Sequence, residues 1–310
     1  MGLSAPTLNA PMGGVAGGML ASVVTAAGGL GMIGVGSAGS VALLEQEAAY
    51  PRRAGLSFGI GLLDWAVTRQ PALLDAAVAA RPVAISISFG DEWEWTSRVR
   101  DAGIVSLTQV FDVAQARQAA DAGIDVLVAR GAEGGGHGEA KVGTLPLLES
   151  VLDAVSLPVL AAGGVSSARG LAAVLAAGAS GAWIGTAFAA CNESMASDAA
   201  REAMVRASET DTVTTKVFDV ALGYQWPSRF EERVLRNEFF EQWSGREGAL
   251  ASDAKARKAL EAAIVAEDFG VAHIDAGQGV GLTTAVRPAA DIVLQMCADA
   301  EHLLRSWAPR

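Results

Sequence analysis

Short, apolar, β-rich segments recur about every 20–30 residues over the first 190 residues of the chain. Several are apolar at nearly every position, which is typical of parallel strands buried on both faces. The eight segments occupy residues 8–12, 31–36, 56–62, 83–89, 104–110, 126–131, 158–164 and 181–188. Eight strands alternating with helices predict an α/β fold, a closed (β/α)8 barrel of the TIM type. An open doubly wound sheet is the alternative that fits the same pattern.

Helical segments fill the gaps between these strands. Three clear helical patterns occupy residues 64–80, 112–122 and 167–177. Asp112 and either Ser166 or Ser167 are suitable N-caps, because their side chains can accept a hydrogen bond from the first helical turn. Glycines that follow an Ala-rich last turn, as expected for helix ends, stand at Gly103, Gly123 and Gly178.

The composition changes after about residue 200. A third of residues 201–268 are charged, against 18% of the whole chain. This predicts a smaller, mainly helical C-terminal domain or insertion at 201–270. Residues 285–307 then form a helical pattern with Pro288 near its start, and we expect it to return to the barrel. The chain is therefore predicted to divide into a barrel at 1–200, the helical segment at 201–270 and a returning segment at 271–310.

Charge and cysteine content exclude several classes of function. A net charge of −11 argues against a nucleic-acid partner, since such proteins neutralise phosphates with Lys and Arg. A small anion remains possible, because backbone N–H groups can hold one. Cys191 and Cys297 form no CxxC pair, so we expect two reduced cysteines in a cytoplasmic protein. A homo-oligomer is a further possibility that the sequence leaves open.

The N-terminal stretch is uncharged as far as Leu44, which is long enough to span a bilayer. It lacks a positively charged start, and residues 10–44 contain ten glycines that divide it into short pieces. We therefore predict buried strands and a packed helix here and no membrane segment.

Glycines cluster where the predicted strands end, which is where barrels place their active sites. The seventh strand ends in Gly163-Gly164, followed by a helix that starts near Ser166, and the eighth carries Gly185-Thr186. Loops at these two strands and a helix N-terminus frequently bind phosphate. This pattern predicts a phosphate site.

The sixth strand runs into Arg130 and a glycine-rich loop, residues 131–138, that contains His137. Three consecutive glycines disfavour a helix or strand interior, so we expect a loop without regular structure. An imidazole beside such a backbone suits a flat ligand and proton transfer. His137 and Glu139 are too few for a metal site, and His273 and His302 are expected to be structural or at the surface.

Residues 34–39 match the dinucleotide pattern G-x-G-x-x-G after a predicted strand. The next strand lacks an acidic residue at its end, and a glycine-rich chain produces this pattern by chance. We therefore do not predict a Rossmann nucleotide site.

Four of these motifs together resemble the nitronate monooxygenases, formerly called 2-nitropropane dioxygenases. They are Ala-Pro-Met at 10–12, Gly-Ala-Glu-Gly-Gly-Gly-His at 131–137, Ala-Ala-Gly-Gly-Val at 161–165 and Gly-Thr-Ala-Phe at 185–188. Their order and spacing fit over roughly residues 5–195. Residues 277–281 and 287–289 resemble the family's C-terminal return to the barrel.

The resemblance implies an FMN-binding barrel that oxidises alkyl nitronates with molecular oxygen, with His137 as the catalytic residue. It places FMN contacts on Pro11, Met12, Gly13, Gly135, Gly163, Gly164, Gly185 and Thr186. Arg130, Gly61 and Gly136 are further candidates. Arg130 and Gly61 stand where the family often has Gln and Asn, and Gly134 replaces an Ala of the usual loop.

Other functions fit parts of the pattern. An FMN-dependent NAD(P)H reductase of the enoyl-acyl-carrier-protein reductase type uses the same barrel. A flavin-free lyase or isomerase is disfavoured, since the eight predicted strands contain neither Lys nor a carboxylate. A non-catalytic FMN-binding or other small-molecule-binding module would not depend on His137.

Overall fold

A computed structural model describes residues 2–307 of the chain. Met1 and residues 308–310, the outermost parts of the first and third predicted segments, lie outside the described residues. Within residues 2–307 the strands are β1 Thr7–Asn9, β2 Met32–Gly34, β3 Gly59–Leu63, β4 Ala84–Ser88, β5 Val105–Val110, β6 Val126–Arg130, β7 Gly136–Gly138, β8 Val159–Ala162, β9 Gly181–Ile184, β10 Thr212–Thr215 and β11 Glu231–Leu235.

The helices of the same residues are α1 Gly18–Ala26, α2 Val41–Arg53, α3 Asp64–Arg69, α4 Ala72–Ala79, α5 Trp95–Asp101, α6 Val113–Asp121, α7 Thr144–Ala154, α8 Ala168–Ala176, α9 Thr186–Ala189, α10 Asp198–Arg206, α11 Val217–Leu222, α12 Glu238–Trp243, α13 Glu247–Leu250, α14 Ala254–Ala266 and α15 Ala289–Ser306. A 3₁₀ helix at Gln278–Leu282 precedes α15.

The eight predicted strands form one parallel sheet in the order β1-β9-β8-β6-β5-β4-β3-β2. A parallel bridge between Leu8 and Leu30 links its two end strands, so the sheet curls into a nearly closed barrel. This confirms the (β/α)8 prediction over the open sheet. The strands are shorter than the apolar runs that predicted them, because the ends of those runs turn into loops.

The seam between β1 and β2 is closed by a side chain. Asn9 is fully buried, its Nδ2 donates to the carbonyl of Met32 at 2.8 Å, and its Oδ1 accepts from the N–H of Met32 at 2.9 Å. The amide thus replaces the pair of backbone hydrogen bonds that a ladder would supply at this point.

Local sequence signals explain most helix ends. The side chains of Asp112 and Ser167, rather than Ser166, accept from the backbone of the first turns of α6 and α8. The predicted helix 64–80 is instead two helices, α3 and α4, which part at Pro71. Proline has no N–H for a helical hydrogen bond and disfavours helix in the residue before it.

Two apolar layers hold the barrel together. One fills its interior with alternate side chains from several strands, among them Leu107, Val128 and Trp183. The other lies between the sheet and the surrounding helices. The terminal helix α15 belongs to this outer layer and packs against α8 and α1, with Ile292 and Met296 buried. Among residues 2–307, no helix is both long and apolar enough to cross a membrane.

The predicted segment 201–270 is mainly helical and also supplies two strands. β10 and β11 form an antiparallel sheet whose third strand is β7 in the glycine-rich loop. The prediction that this loop lacks regular structure was therefore wrong for Gly136–Gly138. A three-residue edge strand tolerates glycine because β11 provides the pairing. The limits of the three predicted segments stay a prediction.

We predict that Asn9→Ala lowers the free energy of unfolding by about 2–3 kcal/mol, since it leaves two buried backbone groups of Met32 without partners. Urea denaturation followed by circular dichroism measures this. Asn192→Ala, at an exposed asparagine, is the control and should change the value by less than about 0.5 kcal/mol. Equal effects of the two substitutions would show that the seam does not depend on Asn9.

Candidate functional site

A cavity of about 380 Å³ opens at the carboxyl ends of the barrel strands. Its volume lies within the range of small-molecule and cofactor sites. All the predicted site residues line it: Pro11, Met12, Gly13, Gly61, Arg130, Gly135, Gly136, His137, Gly163, Gly164, Gly185 and Thr186. Within the G-x-G-x-x-G stretch, residues 35–39 also line this cavity, as the connection after β2 of a barrel rather than as part of a Rossmann unit.

The loops after β8 and β9 meet the C-terminal return of the chain. Gly163 and Gly164 have φ angles of +109° and +71°, which side-chain-bearing residues rarely adopt. The hydroxyl oxygen of Thr186 accepts a hydrogen bond from the N–H of Gly277 at 3.0 Å. The hydroxyl proton of Thr186 is left to donate a hydrogen bond of its own. The return thereby holds the wall in which the phosphate site was predicted.

Most of the predicted cofactor glycines are required by the packing of the chain itself. A Cβ on Gly13 would lie 2.3 Å from Cα of Gly36, and one on Gly61 would lie 2.2 Å from Cγ of Pro11. Gly185 differs, because its nearest neighbours would be Sδ of Met12 at 3.7 Å and Cβ of Ala10 at 4.0 Å, which are ordinary contacts. The space in front of Gly185 is therefore free for a ligand.

Arg130 holds the glycine-rich loop. The residue is only 5% exposed, and Nη2 of its guanidinium donates to the carbonyls of Gly134, Gly135 and Gly136 at 2.9, 3.0 and 3.0 Å. Burial lowers the pKa of Arg130 to about 10, which leaves it charged at neutral pH. It is thus an internal support of the loop, and a direct contact with FMN stays a prediction.

The imidazole of His137 is held from two sides by the segment 201–270. Its Nε2 lies 2.9 Å from Oδ2 of Asp219 in α11. Its ring stacks on Trp226, with centroids 3.6 Å apart and planes 6° from parallel. When Asp219 accepts the Nε2–H, Nδ1 is the ring nitrogen left to take a proton.

A third group, Glu232 of β11, completes the surroundings of His137. It stands opposite His137 in the β11–β7 register, and the ring nitrogen of His137 and carboxylate oxygens of Asp219 and Glu232 lie within 4.8 Å of one another. Burial, with the charges of Asp275 and Asp219, raises the pKa of Glu232 well above its usual value. A proton or a cation can neutralise such a group.

His273 also lines the cavity and is buried, and burial lowers its pKa. A structural role for His273 stays a prediction. His302 lies exposed on α15, at the predicted surface.

Aromatic rings line one wall of the cavity, among them those of Phe89 and Trp226. Phe89 follows β4 with a φ angle of +73°, an outlier for a bulky residue. Its ring meets those of Trp226 and Phe230 edge-on at 5.1 and 5.3 Å, and these contacts hold it in place. Strain of this kind concentrates at functional sites.

Sequence reasoning missed Phe89, Asp219, Trp226 and Glu232 as members of the site. The last three lie about 80–95 positions after His137 in a charged segment with no motif.

The comparisons with known proteins agree with this geometry. The family model described as "Nitronate monooxygenase" matches residues 66–299, about three quarters of the chain. The chain belongs to the nitronate monooxygenase family. The predicted resemblance is therefore confirmed.

Full-length relatives extend the match. A nitronate monooxygenase from Paraburkholderia phytofirmans is 28% identical over 96% of this chain and 92% of its own length. The structure of a nitroalkane oxidase from Streptomyces ansochromogenes has a TM-score of 0.83 and 28% identity, covering 99% of each chain. The structure of FabK from Thermotoga maritima has a TM-score of 0.85 and 28% identity, covering 99% of this chain and 96% of that one.

With two other curated relatives the match covers only 61% and 59% of their length. The names of the nitronate monooxygenase and nitroalkane oxidase relatives agree with the predicted oxidoreductase class.

For this nitronate monooxygenase family member we predict that Arg130→Met lowers the free energy of unfolding by about 3 kcal/mol, since it leaves three loop carbonyls without their donor. Methionine keeps most of the side-chain volume, so the loss reflects the hydrogen bonds. Guanidinium denaturation measures it. The control, Arg305→Met, removes an exposed ion pair to Glu301 and should cost less than about 1 kcal/mol. A stable Arg130→Met protein with an unchanged tryptophan spectrum would refute the supporting role.

Proposed function

We propose that this protein uses FMN to oxidise alkyl nitronates with molecular oxygen, with His137 as the catalytic residue. The observation that carries the proposal is the convergence of all the predicted site residues on one cavity. Family membership and the names of the relatives support the same chemistry. A cytoplasmic location and a homo-oligomeric state stay predictions.

The volume and the lining residues of the cavity support FMN as its ligand. Gly163, Gly164, Gly185 and Thr186 would hold the phosphate, because backbone N–H groups and a hydroxyl can approach it there. Pro11, Met12, Gly13, Gly61 and the glycine-rich loop would line the rest of the cofactor. FMN, when bound, supplies the electron acceptor and the centre that reacts with oxygen.

His137 supplies proton transfer and charge. With a neutral nitroalkane, Nδ1 would remove the α-proton and leave the anionic nitronate in place. The positive charge then on the imidazole would lie beside Asp219 and over the indole face of Trp226. With a preformed nitronate no proton need be removed, and the protonated ring would orient the anion.

The alternative, an FMN-dependent NAD(P)H reductase, keeps support from the likeness to FabK. A steady-state assay separates the two functions. We expect oxygen consumption with ethyl nitronate and none above background with NADH. A protein that consumes NADH and leaves the nitronate untouched would favour the reductase.

We predict that Gly185→Ala yields a folded protein with at least about tenfold weaker FMN binding. A Cβ here meets only ordinary contacts in the chain, so the loss would come from the space that the phosphate needs. Flavin fluorescence titration measures the dissociation constant.

Gly248→Ala in α13 is the control for Gly185→Ala. A Cβ on Gly248 would meet no chain atom within 4 Å, the residue has no positive φ angle, and it does not line the cavity. Unchanged FMN affinity in Gly185→Ala would show that the phosphate site is misplaced.

We predict that His137→Asn keeps FMN and loses at least about 10²-fold in turnover of neutral nitroethane, because the proton acceptor is gone. The loss with preformed ethyl nitronate should be smaller. His302→Asn, on the exposed face of α15, should behave as the unaltered protein. If His137→Asn turns over nitroethane and ethyl nitronate as fast as the unaltered protein does, His137 is not the catalytic residue.

A further inference from the structure

Glu232, in the segment 201–270, lines the same cavity as His137. The two residues stand directly opposite each other in the antiparallel pair of β11 and β7, so their side chains share one face of the sheet. Glu232 is only 2% exposed and lines the cavity. Among residues 2–307, its Oε1 has no hydrogen-bond partner.

The titratable groups around Glu232 come from four parts of the chain. β7 contributes His137, α11 contributes Asp219, the turn after α11 contributes Tyr224, and the segment before the 3₁₀ helix contributes Asp275. The strongest charges acting on Glu232 are the two carboxylates, and together with burial they raise its pKa. The guanidinium of the adjacent Arg233 donates elsewhere, to the carbonyl of Ala132 at 3.0 Å.

A buried carboxyl group beside two other carboxylates is most stable as the neutral acid. A neutral acid is a hydrogen-bond donor, whereas a carboxylate can only accept. Glu232 lines the cavity beside His137, and its Oε1 is a buried atom without a partner among the described residues. A carboxylic acid kept neutral by its site is a known means of binding an oxyanion.

We propose that Glu232 is a substrate-binding residue that donates a hydrogen bond, as a neutral carboxylic acid, to an oxygen of a planar oxyanion beside His137. Under the proposed function the oxyanion is a nitronate, and this identification of the ligand rests on that function. Its two oxygens would be met by two donors, the acid of Glu232 and the protonated imidazole of His137. An ionised Glu232 would instead repel it, so binding weakens where Glu232 loses its proton.

The first test uses propionate, an unreactive planar oxyanion of similar size, and the holoprotein. Its dissociation constant is measured from the change in flavin absorbance between about pH 6 and about pH 10. We expect the unaltered protein to lose propionate affinity at least about tenfold with rising pH. Glu232→Gln keeps a neutral donor, so only His137 makes its binding depend on pH, and its loss of propionate affinity over this range should be clearly smaller than that of the unaltered protein.

Two further variants separate this role from a general effect on folding. Glu232→Leu removes the donor and should bind propionate at least about tenfold more weakly at the low-pH end. Glu231→Gln is the matched control, because that neighbouring side chain is 43% exposed and pairs with Lys216 on the outside. Its pH profile should match that of the unaltered protein. Identical profiles in the unaltered protein and Glu232→Gln would overturn the proposal.

Infrared difference spectroscopy reads the proton directly and needs no turnover. The unaltered protein should show the carbonyl band of a buried protonated carboxylic acid, and Glu232→Gln should lack it. Absence of the band, or a stoichiometric divalent metal in elemental analysis that is lost in Glu232→Gln, would overturn the proposal. If the band and the pH-dependent binding are present but no nitronate is oxidised, the oxyanion donor stands and the proposed function fails.

Discussion

The hydrogen bonds from Arg130 to the carbonyls of Gly134, Gly135 and Gly136 are the interaction on which the site depends. Three consecutive glycines have no conformation of their own, so outside groups must fix them. The guanidinium reaches them from the barrel, and β11 pairs with the end of the loop. His137 occupies a defined position because both supports meet at this loop.

The molecule divides its site between two parts of the chain. The barrel supplies the glycine-lined walls and the predicted phosphate site. Residues 201–270 supply the groups around His137: Asp219 lies against one of its ring nitrogens, Trp226 against its face, and Glu232 across the strand pair. Under the proposed function, the barrel would hold the flat cofactor and these groups would control the charge and the protons beside it.

The sequence predicted the part of this arrangement that local rules determine. Continuous apolar runs gave the eight barrel strands, and the N-caps Asp112 and Ser167 marked helix starts. The strand-end glycines located the cavity, although Gly13 and Gly61 are explained by the packing of the chain alone, Gly13 against backbone and Gly61 against the ring of Pro11. Pro71 could have shown that the helix at 64–80 is interrupted.

Long-range pairing could not be predicted in this way. The register that sets Glu232 opposite His137 joins residues far apart in the chain, and no spacing rule announces it. The contacts of Asp219 and Trp226 with His137 could not be predicted for the same reason. The closure of the barrel by the side chain of Asn9 could not be predicted either. A sequence pattern assumes backbone hydrogen bonds between the two strands, and it gives no sign that a side-chain amide replaces them.

Anaerobic mixing of the purified protein with ethyl nitronate tests the central claim most directly, namely that this cavity holds FMN beside a bound nitronate. The account predicts a yellow protein whose flavin absorbance is bleached by the nitronate and returns when oxygen is admitted. A colourless protein that does not take up FMN, or a flavin bleached by NADH and unaffected by the nitronate, would contradict it.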